Sequence, residues 1–275
     1  MMLDQRSALS SYMTRLLSKG HVVFTAAQAQ KALRIGKGAL LDTAEKQQRR
    51  KYLISPRRGF YIVVPPQFLA WGAPPPSWYI DSLMRHENRP YYVALLKAAE
   101  LHGATHQAVM EFQIITDKRL PRIRAGRSSI VFYYRKDMGA IASGFEDHKT
   151  DTGRMKVSCL ELTILDLLRY RHAAGGLDHI ATVLSDLGDR IDAHRLAALS
   201  SAFERSVVQR LGHLLGRLDY QDKANLLYES VLQGSALPWI ELEPKLAKDP
   251  IFMPAPTEQD DRWRVIVRRP PEPDT

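Results

Sequence analysis

The residues most able to do chemistry in this sequence are cations at short spacing. Arg49, Arg50 and Lys51 close one helical stretch, and Arg57 and Arg58 stand at the tip of the turn that follows. Such side chains neutralise phosphate, and the planar fork of arginine also matches phosphate oxygens and base edges two at a time. A second group, Lys118, Arg119, Arg122, Arg124 and Arg127, continues into Arg135 and Lys136 and is interrupted only by Asp117 and Asp137 near its edges. It reads either as a second phosphate-contacting surface or as a solvated loop.

Catalytic patterns are weaker. His102 and His106 have the spacing of two imidazoles on one helical face, but Gly103 between them ends a helix and no third metal ligand stands nearby. Glu243-Pro244-Lys245 has the acid-x-Lys order of many metal-dependent nucleases, with a proline that fits a core strand poorly. A phosphate-cradling GxxxxGK[ST], a GxSxG elbow and a Gly-Ser turn followed by paired carboxylates are all missing from the sequence. Cys159 precedes an apolar helical run, the setting of a buried small residue rather than a nucleophile. The expectation is a protein that is not an enzyme and uses no cofactor or metal. The alternatives are a metal-dependent nuclease or a ligand-sensing metabolic repressor, each carried by the same amino-terminal unit.

That unit must position the first cations. Leu9, Met13, Leu16 and Leu17 recur at helical spacing, which predicts a helix over 3–19 ended by Gly20. Thr25 followed by Gln28 is a capping box opening a short second helix that runs to about residue 33. Arg34-Ile35-Gly36 is expected to turn on a positive φ at the glycine. A third helix follows from Lys37, with Leu40 and Ala44 facing inward, and a short apolar run over 52–54, Pro56-Arg57-Arg58-Gly59 and an alternating run over 60–64 read as a hairpin with a charged tip. This order is a winged helix-turn-helix. Such a unit sets its third helix in the major groove and lays its wing along phosphate or the minor groove. The expected DNA contacts are Thr25, Arg34, Lys37, Lys46, Arg49, Arg50, Arg57 and Arg58, and the bland alternative is a solvated basic face.

Charge supports the placement. The chain carries 39 Lys+Arg against 30 Asp+Glu, a net +9. Up to residue 75 there are 12 bases and 3 acids, so the whole excess lies there and the remainder balances at 27 against 27. An anionic partner is implied, with nucleic acid first. Pro65, Pro66, Pro74, Pro75 and Pro76 mark a stiff linker over 65–77. The fold class is α+β: a winged helix-turn-helix over 1–64, the linker, a larger mixed domain over 78–268, and a frayed tail over 269–275. In the larger domain, helices are expected over 78–86, 91–102, 159–172, 177–187, 203–218 and 222–232. Strands are expected over 112–116, 130–134 and 264–267. One cysteine excludes an internal disulfide framework, and no apolar run approaches a membrane span or a signal-peptide core. The expected location is the cytoplasm.

Three passages in succession carry a family likeness: GFYIVVP, PYYVALLKAAELHGATHQ and SCLELTILDLLRY, the last containing Ser158, Glu161, Thr163 and Asp166. The chain resembles the AbiEi antitoxins of type IV toxin–antitoxin, or abortive infection, modules. It departs from their common pattern at Lys97-Ala98 and at Leu160, where a proline is frequent. The resemblance implies a repressor of its own operon, bound through the winged helix to double-stranded promoter DNA at inverted repeats. It also implies a carboxyl-terminal domain needed to counteract a co-encoded AbiEii-type nucleotidyltransferase toxin, without a stable complex being required.

Overall fold

In a computed structural model, residues 2–104, 109–231, 237–244 and 254–273 are described. Helix α1 (Met2–Ser18) buries Leu9, Tyr12 and Met13 on one face, the i, i+3, i+4 stripe of an amphipathic helix. Strand β1 (Val23–Thr25) leads into α2 (Ala26–Leu33), where the capping box forms. The Thr25 hydroxyl accepts from the Gln28 N–H at 3.3 Å, and the Gln28 side-chain oxygen accepts from the Thr25 N–H at 2.7 Å. The turn after α2 differs from expectation. Arg34, rather than Gly36, takes the left-handed conformation, with φ 53°, and its N–H caps the helix by donating to the Gln30 carbonyl. Gly36 stays extended at φ −73° and opens α3 (Lys37–Arg49).

Strands β2 (Leu53–Arg57) and β3 (Phe60–Val63) form the hairpin, which joins β1 in a three-stranded sheet of order β1-β3-β2. Phe24 stacks on Tyr61 at 5.1 Å and meets the Tyr12 edge at 5.5 Å. Leu40, Ala44 and Leu53 complete this core.

The proline-rich stretch is built into the fold rather than left as a linker. It makes two single 3₁₀ turns, Pro66–Phe68 and Pro76–Trp78, and buries Ala73, Pro74 and Pro76. Phe68 meets the Trp78 ring edge to face at 5.0 Å, and the Trp78 indole donates to Asp151 at 2.8 Å. The stretch is held by its own buried prolines and Ala73, and by the contact of Phe68 with Trp78.

Helix α4 (Ile80–His86) follows, then β4 (Tyr91–Val93) and α5 (Leu95–Leu101). The helix expected over 91–102 therefore starts late, because Tyr92 and Val93 are wholly buried in a sheet. Next come β5 (Glu111–Thr116), β6 (Ile123–Ala125), β7 (Ser128–Tyr134), β8 (Phe145–Thr150) and β9 (Gly153–Ser158). The six strands take the order β6-β7-β5-β4-β9-β8, with β5 and β7 parallel from Glu111↔Ser129 to Thr116↔Tyr134. Helices α6 (Leu160–Arg169), α7 (Leu177–Leu187), α8 (Ala193–Ser200), α9 (Arg205–Arg217) and α10 (Gln221–Val231) follow. The short strands β10 (Ile240–Glu241), β11 (Glu258–Asp260) and β12 (Val265–Val267) form a second three-stranded sheet of order β10-β12-β11.

The chain divides into two units. Unit 1 is Met1–Tyr92, Met110–Lys136 and Asp147–Lys156; unit 2 is Val93–Val109, Asp137–Glu146 and Val157–Thr275. Unit 1 holds 24 Lys+Arg against 9 Asp+Glu, a net +15, and unit 2 holds 15 against 21, a net −6. Among the described residues no helix is long and apolar enough to cross a membrane.

Candidate nucleic-acid interface

Helix α3 turns Leu40, Thr43, Ala44 and Gln47 inward, the i, i+3, i+4, i+7 set of one face. The Gln47 amide fixes that face by donating to the Ser10 hydroxyl at 2.9 Å. The opposite face, carrying Gly38, Leu41, Asp42, Glu45, Gln48 and Arg49, is exposed. Arg49 lies on it and reaches back to Glu45 at 2.6 Å, a pair open to solvent and weak enough to exchange for a phosphate. Lys37 and Arg50 are exposed at the two ends of the helix, while Lys46 is half-buried at its side. Arg34 is exposed just before the helix, and Thr25 is occupied with its capping bonds.

The two hairpin arginines part company. Arg58 is exposed at the tip, where Gly59 takes a positive φ of 75° to close the turn. Arg57 points the other way and keeps only 19% of its side chain exposed. Its Nε lies 3.1 Å from the Glu87 carboxylate, its Nη2 donates to the Pro121 carbonyl at 2.8 Å, and its guanidinium sits 5.9 Å from the Phe132 ring centre. The physical reason is position: Arg57 closes β2 and is fixed by its three partners, whereas Arg58 belongs to the turn. Arg57 therefore leaves the set of exposed bases.

Charge alone failed to mark Leu41 and Gln48. Leu41 is 50% exposed in the middle of the open face of α3, and a helical wheel anchored on Leu40 and Ala44 would have placed it there.

The second basic group also resolves into different roles. Lys118, Arg119, Arg124 and Arg127 are exposed; Arg122 is exposed and paired with Glu111 at 2.6 Å. Arg119 lies over the Tyr134 ring at 5.4 Å, Lys136 is exposed, and Arg135 is buried. All seven belong to unit 1.

The catalytic candidates are held in structural bonds. The His102 ring pairs with the Ser158 carbonyl at 2.8 Å, and His106 lies outside the described residues. Glu243 approaches Arg269 at 3.9 Å, and Lys245 is again outside the described residues. Among the described residues no group of three His, Cys, Asp or Glu could hold a metal. Cys159 is buried, its sulfur accepts from the Leu162 N–H at 3.5 Å, and burial pushes its thiol up to about 12. The residues of the α6 start are buried as well. The Ser158 and Thr163 hydroxyls bond each other at 2.6 Å, and Glu161 accepts from the Asp192 N–H at 2.9 Å, tying the start of α6 to the start of α8.

Residues 92–217 match the family model described as the AbiEi antitoxin C-terminal domain. This segment is an AbiEi antitoxin domain. The match supports an antitoxin role in a toxin–antitoxin system. The AbiEi segment spans α5 to α9 and includes the basic β6–β7 hairpin. Among solved structures, the chain is similar to the RV2827C protein from Mycobacterium tuberculosis at 18% identity and a TM-score of 0.67, over 95% of this chain and 91% of that one. That likeness is one of fold. No curated protein matches the chain.

Proposed function

We infer that this AbiEi antitoxin is a DNA-binding protein that represses its own toxin–antitoxin operon. In the same reading it counteracts a co-encoded AbiEii-type nucleotidyltransferase toxin and is not itself an enzyme. The observation that carries the reading is the open face of α3, which bears Arg49 between the exposed Lys37 and Arg50 at the helix ends, within a unit of net charge +15 that also exposes Arg58 at the hairpin tip. The order helix, strand, helix, helix, hairpin is that of a winged helix-turn-helix. With α3 in the major groove, Lys37, Arg34 and Arg50 bind phosphate at its ends, Arg49 exchanges Glu45 for the DNA, and Leu41 meets a thymine methyl. Inverted repeats in the promoter would take one copy of the protein per half-site. A repressor works where its promoter is, which places the protein in the cytoplasm.

Binding to a duplex from upstream of the gene, followed by fluorescence anisotropy, tests the reading. Neutralising about five phosphates gives a log–log salt slope of roughly −4 to −5. The pair Arg49→Ala and Arg58→Ala makes the slope shallower by about two, while Leu41→Asn changes base preference and leaves the slope alone. Salt-insensitive binding, or an unchanged slope in the double variant, contradicts the DNA assignment. Cleavage of that duplex with magnesium or manganese, abolished by Glu243→Ala, would reverse the non-enzymatic part. Co-expression with the adjacent toxin gene tests the rest: growth is restored by the full chain.

A further inference from the structure

Two basic clusters that lie some sixty residues apart in sequence are brought together in unit 1, and the residue that joins them is Arg57. From the β2–β3 hairpin its guanidinium reaches the Pro121 carbonyl and the Phe132 ring, at the two flanks of the β6–β7 hairpin. The β6–β7 hairpin is itself rigidly built. Ile123 pairs with Ile130 and Ala125 with Ser128, leaving Gly126 and Arg127 as a two-residue tip. Gly126 takes φ 57°, and a Cβ there would run into the Trp71 carbonyl oxygen, so the tip is closed by glycine against the proline-rich segment. The Arg127 N–H then donates to that same carbonyl at 2.9 Å. Along β6, Ile123 and Ala125 are buried and Arg124 between them is exposed. Arg124 and Arg127 are thus held outward on a fixed frame, and Lys118 is exposed in the bend that precedes β6; among the described residues no acid lies within ion-pair distance of the three.

We propose that the β6–β7 hairpin is a second DNA-contacting arm beside the wing, in which Arg124, Arg127 and Lys118 bind backbone phosphates of duplex DNA flanking the segment read by α3. The proposal rests on the DNA-binding reading above and adds to it a longer footprint. Its energetic logic is preorganisation: a mobile basic loop must be ordered on binding, whereas this hairpin is pinned at its tip by Trp71 and at its base through Arg57. The arm supplies affinity and salt dependence without base specificity, because its cations meet phosphate oxygens, which carry no sequence information.

The test uses the full chain and two duplexes, chosen after hydroxyl-radical footprinting of the DNA upstream of the gene. One, of about 20 bp, covers only the α3 site, and the other, of about 40 bp, extends beyond it on both sides. Arg124→Ala with Arg127→Ala should weaken binding to the long duplex about tenfold or more near physiological salt. It should also make the salt slope there shallower by about two and shorten the footprint. Binding to the short duplex should stay at the wild-type level, and circular dichroism should report an unchanged fold. Arg124→Glu with Arg127→Glu should enlarge the loss on the long duplex only. An unchanged slope on the long duplex, equal weakening on both duplexes, or an effect confined to duplex RNA of the same length overturns the proposal. If wild-type protein binds neither duplex with salt dependence, the DNA-binding reading has failed. If it binds both and responds to Arg49→Ala but not to the arm variants, only the arm has failed.

Discussion

The arginines of the two units are used in opposite ways. In unit 1, Arg58, Arg124 and Arg127 project into solvent from hairpin tips and strand edges. In unit 2, Arg210 is only 6% exposed and holds the second sheet to α9. It donates to the carbonyls of Ser206 at 3.0 Å, Glu241 at 2.9 Å and Leu242 at 3.1 Å. Arg268 grips the Glu241 carboxylate at 2.8 Å, and Arg195 grips Glu146 at 2.8 Å. Burial, with the nearby charge of Arg171, lowers the Arg210 guanidinium to about 10, which leaves it protonated at neutral pH. The same side chain is a fastener where carbonyls and acids surround it, and a ligand-facing group where they do not. Net charges of −6 and +15 express that difference across the two units.

The comparison breaks most readily at Arg210. Arg210→Ala takes the side-chain donor from the Glu241 and Leu242 carbonyls, empties the buried space beside them, and should cost about 3 kcal/mol in urea unfolding. DNA affinity measured below the transition should be unchanged. A stability loss below about 1 kcal/mol would mean that the fastener role is overstated. Arg57 tests an exception inside unit 1. Arg57→Ala strands Glu87 and should lower stability by about 1–3 kcal/mol with less than one unit of change in salt slope. Arg58→Ala should do the reverse, staying within about 0.5 kcal/mol in stability while the slope becomes shallower by about one. Equal behaviour of the two neighbours would erase the distinction drawn from their geometry.

Smaller effects sharpen the picture. Thr25→Ala removes the capping box and should cost about 1 kcal/mol, read as a lower thermal midpoint. If instead DNA affinity falls with no loss of stability, Thr25 is a contact and not only a cap. The smallest change concerns Cys159, whose buried thiol lies far above neutral pH in its ionisation. Native protein at pH 8 should resist alkylation until denaturant is added; rapid native labelling would place the thiolate in solvent.

How much of this could be read in advance depends on which force decided each element. The first three helices and the β2–β3 hairpin were legible because one apolar stripe and one capping box specify them locally. Strands β8 and β9, with sequences FEDHKT and GRMKVS, were not, because their stability comes from pairing and not from an apolar run of their own. Helix α8 was missed for a related reason: its eight residues (AHRLAALS) lack a long period, and its start is set by the Asp192 cap and by Glu161 from α6. The proline count pointed to a linker, whereas burial of Ala73, Pro74 and Pro76 and the bond from Arg127 to the Trp71 carbonyl fix that stretch in place.

The open face of α3 was half legible. Its cations stood out, but Leu41 and Gln48 needed the wheel, and the inward turn of Arg57 needed Glu87, Pro121 and Phe132 in place around it. Expecting Gly36 to carry the left-handed turn likewise overlooked that a helix end can impose αL on Arg34 when its N–H finds the Gln30 carbonyl.

By itself, the sequence determined the total charge of +9, the amino-terminal excess, the order of the main helices and the likeness to AbiEi antitoxins. Composition and local periodicity are properties of neighbours along the chain, so no folding was needed to see them. Only the tertiary structure decided which bases share a unit. By tying the β5–β7 segment to the wing through Arg57 and Pro121, and to the proline-rich stretch through Trp71 and Arg127, it moves residues 110–136 out of an otherwise balanced remainder and into unit 1. The charge then divides as +15 and −6 because tertiary contacts join residues distant in sequence, and Coulombic fields depend on distance in space.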